Sequence, residues 1–304
     1  MTVYQFFMAL IVISAALSAI MSVAFAIQQR TGNSGWVDTI WTFGLGLVGA
    51  GAALTPLADT SAQPRQLIVA AFAAVWSARL GLHIATRTAK IIDDPRYAKM
   101  IEGWGDNARQ EMFWLLQKQA VVSIPLAMAM FLAAHNPAPG LMAGDVVGIA
   151  VMAVAVIGEG IADWQLQTFK SDPANKGGIN DIGLWRWSRH PNYFFETFGW
   201  LSYPLLAINL TGAYPWGWLA FAAPACMYWL LVYVSGIPPL EEHMLRTRGD
   251  QFRAYQRRTN AFFPAPPRGG GLMSAIQLAI PLFERLPWPD TVSRAAVSFL
   301  VSRS

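Results

Sequence analysis

Seven stretches of this chain, residues 4–27, 36–57, 66–86, 119–135, 145–167, 193–209 and 213–237, are long and apolar and carry almost no charge. About 20 apolar residues cross the hydrocarbon core of a bilayer as one helix. Lipid offers no partner to free backbone N–H and C=O groups, so such stretches have to be helical. The chain has 304 residues, of which 54% are hydrophobic and only 13% charged. A soluble domain has about 25% charged residues, so this chain lacks the polar surface to stay dissolved. The pattern predicts an all-α integral membrane protein of about seven transmembrane helices in one bundle.

Basic residues orient that bundle, because cytoplasmic loops carry the excess of Lys and Arg. All but two of the 22 Lys and Arg residues lie in the first, third and fifth loops or in the C-terminal tail. The exceptions are Arg65 in the second loop and Arg79 inside the third helix. With seven spans, the odd loops and the C-terminus share the cytosolic side and the N-terminus lies outside. No Lys or Arg precedes Arg30, so residues 4–27 read as a retained helix rather than a cleaved signal, which needs a basic leading region. Residues 1–265 are expected to form the membrane domain. The remainder, 266–304, reads as a Pro/Gly linker and an amphipathic tail lying on the surface.

Several function classes fall away. The net charge of +4 comes from loops rather than a basic patch, so no nucleic-acid partner is expected, and no obligatory protein partner is evident. Cys226 is the only cysteine, which excludes an internal disulfide and a thiolate metal site. The four histidines show no ligand spacing, so no metal is expected. Gly44-Leu-Gly46-Leu-Val-Gly49 matches a dinucleotide-binding pattern literally, but it lies inside an apolar span with no preceding strand. Close packing of helices is the better reading.

Ionisable residues within a membrane are expensive and mark functional sites by default. Arg79, His83 and Arg87 lie four apart, on one stripe of the third helix. Glu159, Asp163 and Gln167 do the same on the fifth, and Asn192 and Glu196 at the start of the sixth. Asp38 and Trp41 stand near the start of the second. In the predicted topology all four sets fall in the cytosolic half of the bundle. The densest segment is Gly183-Leu-Trp-Arg186-Trp-Ser-Arg189-His190-Pro191-Asn192-Tyr193-Phe-Phe-Glu196. Pro191 suits the first turn of a helix, and Arg186, Arg189 and His190 cluster beside that N-terminus, which favours anions. A phosphate-bearing cofactor and an interfacial belt for lipid headgroups both fit these residues.

That segment resembles the signature of the steroid 5-alpha-reductase family, in its bacterial, functionally unassigned branch. Ser235-Gly-Ile-Pro-Pro-Leu-Glu-Glu242 and Tyr255-Gln-Arg-Arg-Thr-Asn-Ala-Phe-Phe-Pro264 continue the resemblance. Upstream, Trp76-Ser-Ala-Arg79-Leu and Asp94-Pro-Arg96-Tyr97 fit the same branch, so it covers roughly residues 30–265.

The resemblance implies a seven-helix enzyme of the bacterial inner membrane. Such an enzyme takes NADPH from the cytosol and reduces a carbon–carbon double bond conjugated to a ketone, in a lipid or steroid arriving through the bilayer. It implies that Asn192 and Glu196 hold the nicotinamide end and that Asp163 binds cofactor. Arg87, Lys90, Lys170, Arg186 and Arg189 are implied to hold phosphates, with Glu242, Tyr255 and Arg258 contributed by the tail. Arg79, His83, Gln167, His190 and Tyr193 complete the expected cofactor set. The family's tyrosine, three residues before the third-helix arginine, is Trp76 here. Its indole N–H can donate a hydrogen bond but cannot supply a proton. Asp38 is therefore expected to join Trp76 as a catalytic residue, as a carboxyl kept protonated by burial.

Two rivals stand beside this reading. S-adenosylmethionine-dependent membrane methyltransferases of isoprenylcysteine or phospholipid type also carry an R-H-P-x-Y-x-x-E element, and the Asn after His-Pro favours the reductase. A non-enzymatic lipid-binding protein or transporter would show broken helices in paired halves around a midplane site, and the sequence has no such pairing.

Overall fold

A computed structural model of the chain describes residues 1–57 and 63–268. The expected surface tail falls almost wholly outside the described residues. Among them, six helices are long and apolar enough to cross a membrane, as a multi-pass membrane protein requires. The long elements are α1 (Val3–Thr31), α2 (Gly35–Leu54), α3 (Pro64–Thr88), α5 (Ala108–Ala134) and α6 (Ala143–Ser171), with the short α4 (Pro95–Trp104) between α3 and α5. Then come α7 (Leu184–Trp187), α8 (Pro191–Trp200), α9 (Ser202–Ala207), α10 (Ala222–Trp229) and α11 (Ile237–Arg258). A 3₁₀ segment Pro215–Phe221 leads into α10, and a π-helical turn Leu230–Val234 leads out of it.

The predicted sixth span is not one helix. It forms α8 and α9, which are 10 and 6 residues long. Pro204 explains the break: it has no N–H to donate, and its ring would clash with the carbonyl of Trp200 one turn earlier.

The chain divides into two units. The first comprises Met1–Ala153 and Phe198–Met227. In it α2 packs against α1, α3 and α5, and α5 packs against α9 and the 3₁₀ segment. Every residue from Leu126 to Ala134 in α5 is buried, the mark of a helix enclosed on all sides. The glycine pattern in α2 has a packing role. A Cβ on Gly44 would lie 2.5 Å from Ile20 Cγ2 in α1, one on Gly46 2.2 Å from Ser77 Oγ in α3, and one on Gly49 1.9 Å from Met130 Sδ in α5. Small residues let helices approach closely where lipid removes the hydrophobic drive for association.

Arg65, the basic residue that broke the loop rule, is buried at the start of α3 with 3% of its side chain exposed. Its Nε and Nη2 each donate to the Asp145 carboxylate at 2.7 Å, and its remaining N–H groups reach the carbonyls of Asn136, Ala138 and Gly140. A buried charge is tolerable when it is paired and its other donors are satisfied.

The second unit comprises Val154–Thr197 and Tyr228–Ser304. Its centre is the segment 180–190, which contains α7 and is held on both sides. The Trp185 indole donates to the Ala162 carbonyl at 3.0 Å, and the Tyr255 hydroxyl donates to the Trp185 carbonyl. Gly183 sits at φ +59, and a Cβ there would lie 2.6 Å from the Gln165 amide. The left-handed backbone conformation therefore favours glycine at that position.

Candidate functional site

Each unit gathers a polar cluster that contains expected site residues. In the first, Asp94 caps α4 by accepting from the Arg96 N–H, and Pro95 occupies the first helical position. Burial pushes the Asp94 carboxyl up, but its hydrogen bonds with Arg96 and the charges of Arg96 and Arg87 outweigh that, so it lies below its ordinary value. Arg96 then bridges Asp94 and Asp38. The second oxygen of Asp38 accepts the Tyr97 hydroxyl at 2.9 Å, and that hydroxyl accepts from Gln119 at 3.0 Å.

Both Asp38 oxygens are engaged, one by a guanidinium and one by a phenol. Tyr97 is buried, 5% exposed. Trp76 is equally buried, edge-on to Trp41 and Trp200 at 6.3 and 5.2 Å between ring centroids. Along the predicted stripe on α3, Arg79 is half-buried and His83 and Arg87 are exposed, as is Lys90 beyond it. Arg87 reaches Asp94 at 3.4 Å.

In the second unit the signature segment meets α6 and α11. Asn192 donates to Asp163 at 3.3 Å, across 29 positions of sequence. Glu196 and Glu159 are buried, at 8% and 6% exposure. Arg189 enters a clamp rather than an open anion site. Its Nε and Nη2 donate to Glu241 at 2.7 and 3.1 Å, and its Nη1 to the carbonyls of Gln256 and Thr259. Gln256 and His190 Nε2 also meet the Glu241 carboxylate, at 2.7 and 3.0 Å.

His190 is 4% exposed and stacked on Tyr193. Burial pushes its pKa below the ordinary histidine value, against the pull of Glu241 and with the push of Arg189. A neutral ring donating from Nε2 to Glu241 leaves Nδ1 as an acceptor, and Nδ1 is buried without a partner. Asn180, 5% exposed, has neither end of its amide partnered. A buried polar atom without a partner calls for an explanation, and a bound polar group is one.

The remaining expected residues lie at the margins. Gln167 and Lys170 are exposed, and Arg186 is half-buried. Arg258 pairs with Asp181 in an exposed contact. Glu242, 61% exposed, pairs with Arg246. The carboxylate that α11 supplies to the cluster is its neighbour Glu241.

Sequence reasoning missed Glu241, Tyr97, Arg96 and Asn180. The signals for two of them were present. Asp94-Pro95 is a helix start, which places Arg96 and Tyr97 on the first turn of α4. Nothing local separates Glu241 from Glu242.

A family model described as "Protein of unknown function (DUF1295)" matches residues 24–259. The chain belongs to that family. Among curated proteins it is similar to one from Schizosaccharomyces pombe, "Uncharacterized protein C594.04c", with 38% identity over 99 residues. That match spans 32% of this chain and 27% of the yeast protein. No solved structure matches.

Proposed function

We propose that this chain is an NADPH-dependent membrane reductase acting on the carbon–carbon double bond of a lipid or steroid enone. The observation that carries the reading is the Asp163–Asn192 contact. The resemblance implies cofactor roles for these two residues independently, and they meet in space although distant in sequence. The orphaned Nδ1 of His190 and the orphaned amide of Asn180 are the kinds of acceptor and donor that a carboxamide or a ribose hydroxyl would satisfy.

In this reading Asn192 and Glu196 hold the nicotinamide end. Arg87, Lys90, Lys170 and Arg186 offer charge to the phosphates. Arg189 acts indirectly, by tying the start of α8 to α11. NADPH, when bound, supplies the hydride. The enone carbonyl needs a hydrogen-bond donor in a dry site, the role that the resemblance implies for Asp38 and Trp76. The basic loops support a cofactor side facing the cytosol; in this reading Pro191–Ala207 completes a seventh crossing in two pieces and the N-terminus lies outside. Single cysteines at Thr2 and Arg253 in a Cys226→Ser chain test this topology. Only the first should react with an impermeant thiol reagent added outside intact cells.

The deciding experiment is gentle purification of the full chain, followed by mass spectrometry of released small molecules and by NADPH titration. Bound NADP(H), with affinity lost at least tenfold in Asn192→Ala and Glu196→Ala, supports the reading. Unchanged affinity in both variants removes the site assignment. Bound S-adenosylmethionine with no NADPH binding makes the chain a methyltransferase, and no bound cofactor of either kind favours a lipid carrier.

A further inference from the structure

The outer faces of α1 and α2 enclose a groove of about 510 Å³, within the ~300–1,000 Å³ typical of small-ligand sites. It runs along α2 from Trp36 to Leu47, a length of about 16 Å. Val23 on one side and Leu47 on the other are more than half exposed, and on helices that span a membrane this exposure is to lipid. Gly44 lines the groove close to Ile20.

Thr39 breaks the apolar pattern. It lines the groove and is 5% exposed, and its Oγ1 has no hydrogen-bond partner. A threonine inside a helix ordinarily bonds back to the carbonyl four residues earlier. Thr42 in the same helix does so, to Asp38 at 2.8 Å. For Thr39 that carbonyl belongs to Gly35, which accepts the Thr88 hydroxyl instead. A buried hydroxyl without a partner is costly. Threonine has two accessible χ1 rotamers in a helix, so the hydroxyl can turn to a ligand that brings an acceptor.

Depth identifies that ligand. Thr39 lies about 6 Å past the start of α2, near the boundary between headgroups and hydrocarbon. Trp36, one turn nearer the end, is of the type that anchors at this interface. From Ile40 to Leu47 the lining is wholly apolar for about 10 Å. One polar acceptor at the boundary, followed by an extended apolar chain, describes an acyl ester of a bilayer lipid.

We propose that this groove is a site for one acyl chain of a glycerophospholipid, with its ester carbonyl accepting a hydrogen bond from Thr39. The proposal does not depend on the reductase reading. The full chain, reconstituted with either a diester phosphatidylglycerol or its diether analogue, is released into detergent and its retained lipid counted by native mass spectrometry. The two lipids differ only in the carbonyls. Wild type should retain the diester about fivefold better, the worth of one hydrogen bond. Thr39→Val should retain both at the diether level, and Val23→Trp, which fills the groove, should retain neither. Equal retention of the two lipids by wild type, a comparison that needs no variant, overturns the carbonyl contact. Undiminished retention by a folded Val23→Trp overturns the groove.

Discussion

Replacing Glu241 by alanine should unfold the second unit far more readily than replacing its neighbour Glu242. Glu241 accepts from Arg189 twice, from His190 and from Gln256. Arg189 is 10% exposed and Glu241 13%. Removing one partner of such a pair leaves a charge in a poor environment, at about 3–5 kcal/mol. The His190 and Gln256 donors lose an acceptor as well, each worth about 1 kcal/mol. These losses share one carboxylate and do not add in full, so about 4 kcal/mol is expected for Glu241→Ala. Glu242 and Arg246 are 61% and 57% exposed, and an exposed pair four apart on a helix is worth under about 0.5 kcal/mol. Denaturant titration of the purified full chain in mild detergent, followed by tryptophan fluorescence, measures both. Equal costs for the two variants, or less than about 1 kcal/mol for Glu241→Ala, would refute the clamp. Such a result would return Arg189 to the set of phosphate-binding candidates.

Three further outcomes follow from the packing. Arg65→Leu should cost about 3–5 kcal/mol by stranding Asp145, whereas Arg65→Leu with Asp145→Leu should recover much of that, measured by the same titration. Gly46→Val should cost about 1–3 kcal/mol by pushing α2 off Ser77, while Gly51→Ala, with nothing within 4 Å of its new Cβ, should be neutral or stabilising by up to about 1 kcal/mol. The depressed His190 sets a pH dependence. The unfolded histidine takes its proton first, so this contribution is complete above pH ~6.5 and is lost as pH falls towards the native value, by up to about 1.4 kcal/mol per pH unit. Stability measured from pH 7.5 to 5 should show that slope, and His190→Gln should flatten it.

Helical crossings were legible because their signal is local: a run of apolar residues needs no knowledge of its neighbours to be excluded from water. The glycines of α2 were legible for the same reason, since an apolar span leaves them little to do but pack. Pro204 was in plain view, yet its effect was missed, because mean apolarity hides a missing N–H. The membrane character, the helical class, the uneven spread of basic residues among the loops and the set of candidate polar residues all come from the sequence alone.

Only the tertiary structure decided which of those polar groups pair. Glu241 and Glu242 are chemically identical neighbours, but successive helical side chains point about 100° apart, and only one of them faces Arg189. Asp38 had no visible partner in the sequence until Arg96 and Tyr97, nearly 60 positions away, were found against it. Arg65 looked like a loop charge until Asp145 was found 80 positions along the chain. In each case the partner lies on another segment, and the direction of a side chain between segments is set by packing, which no local pattern of residues encodes.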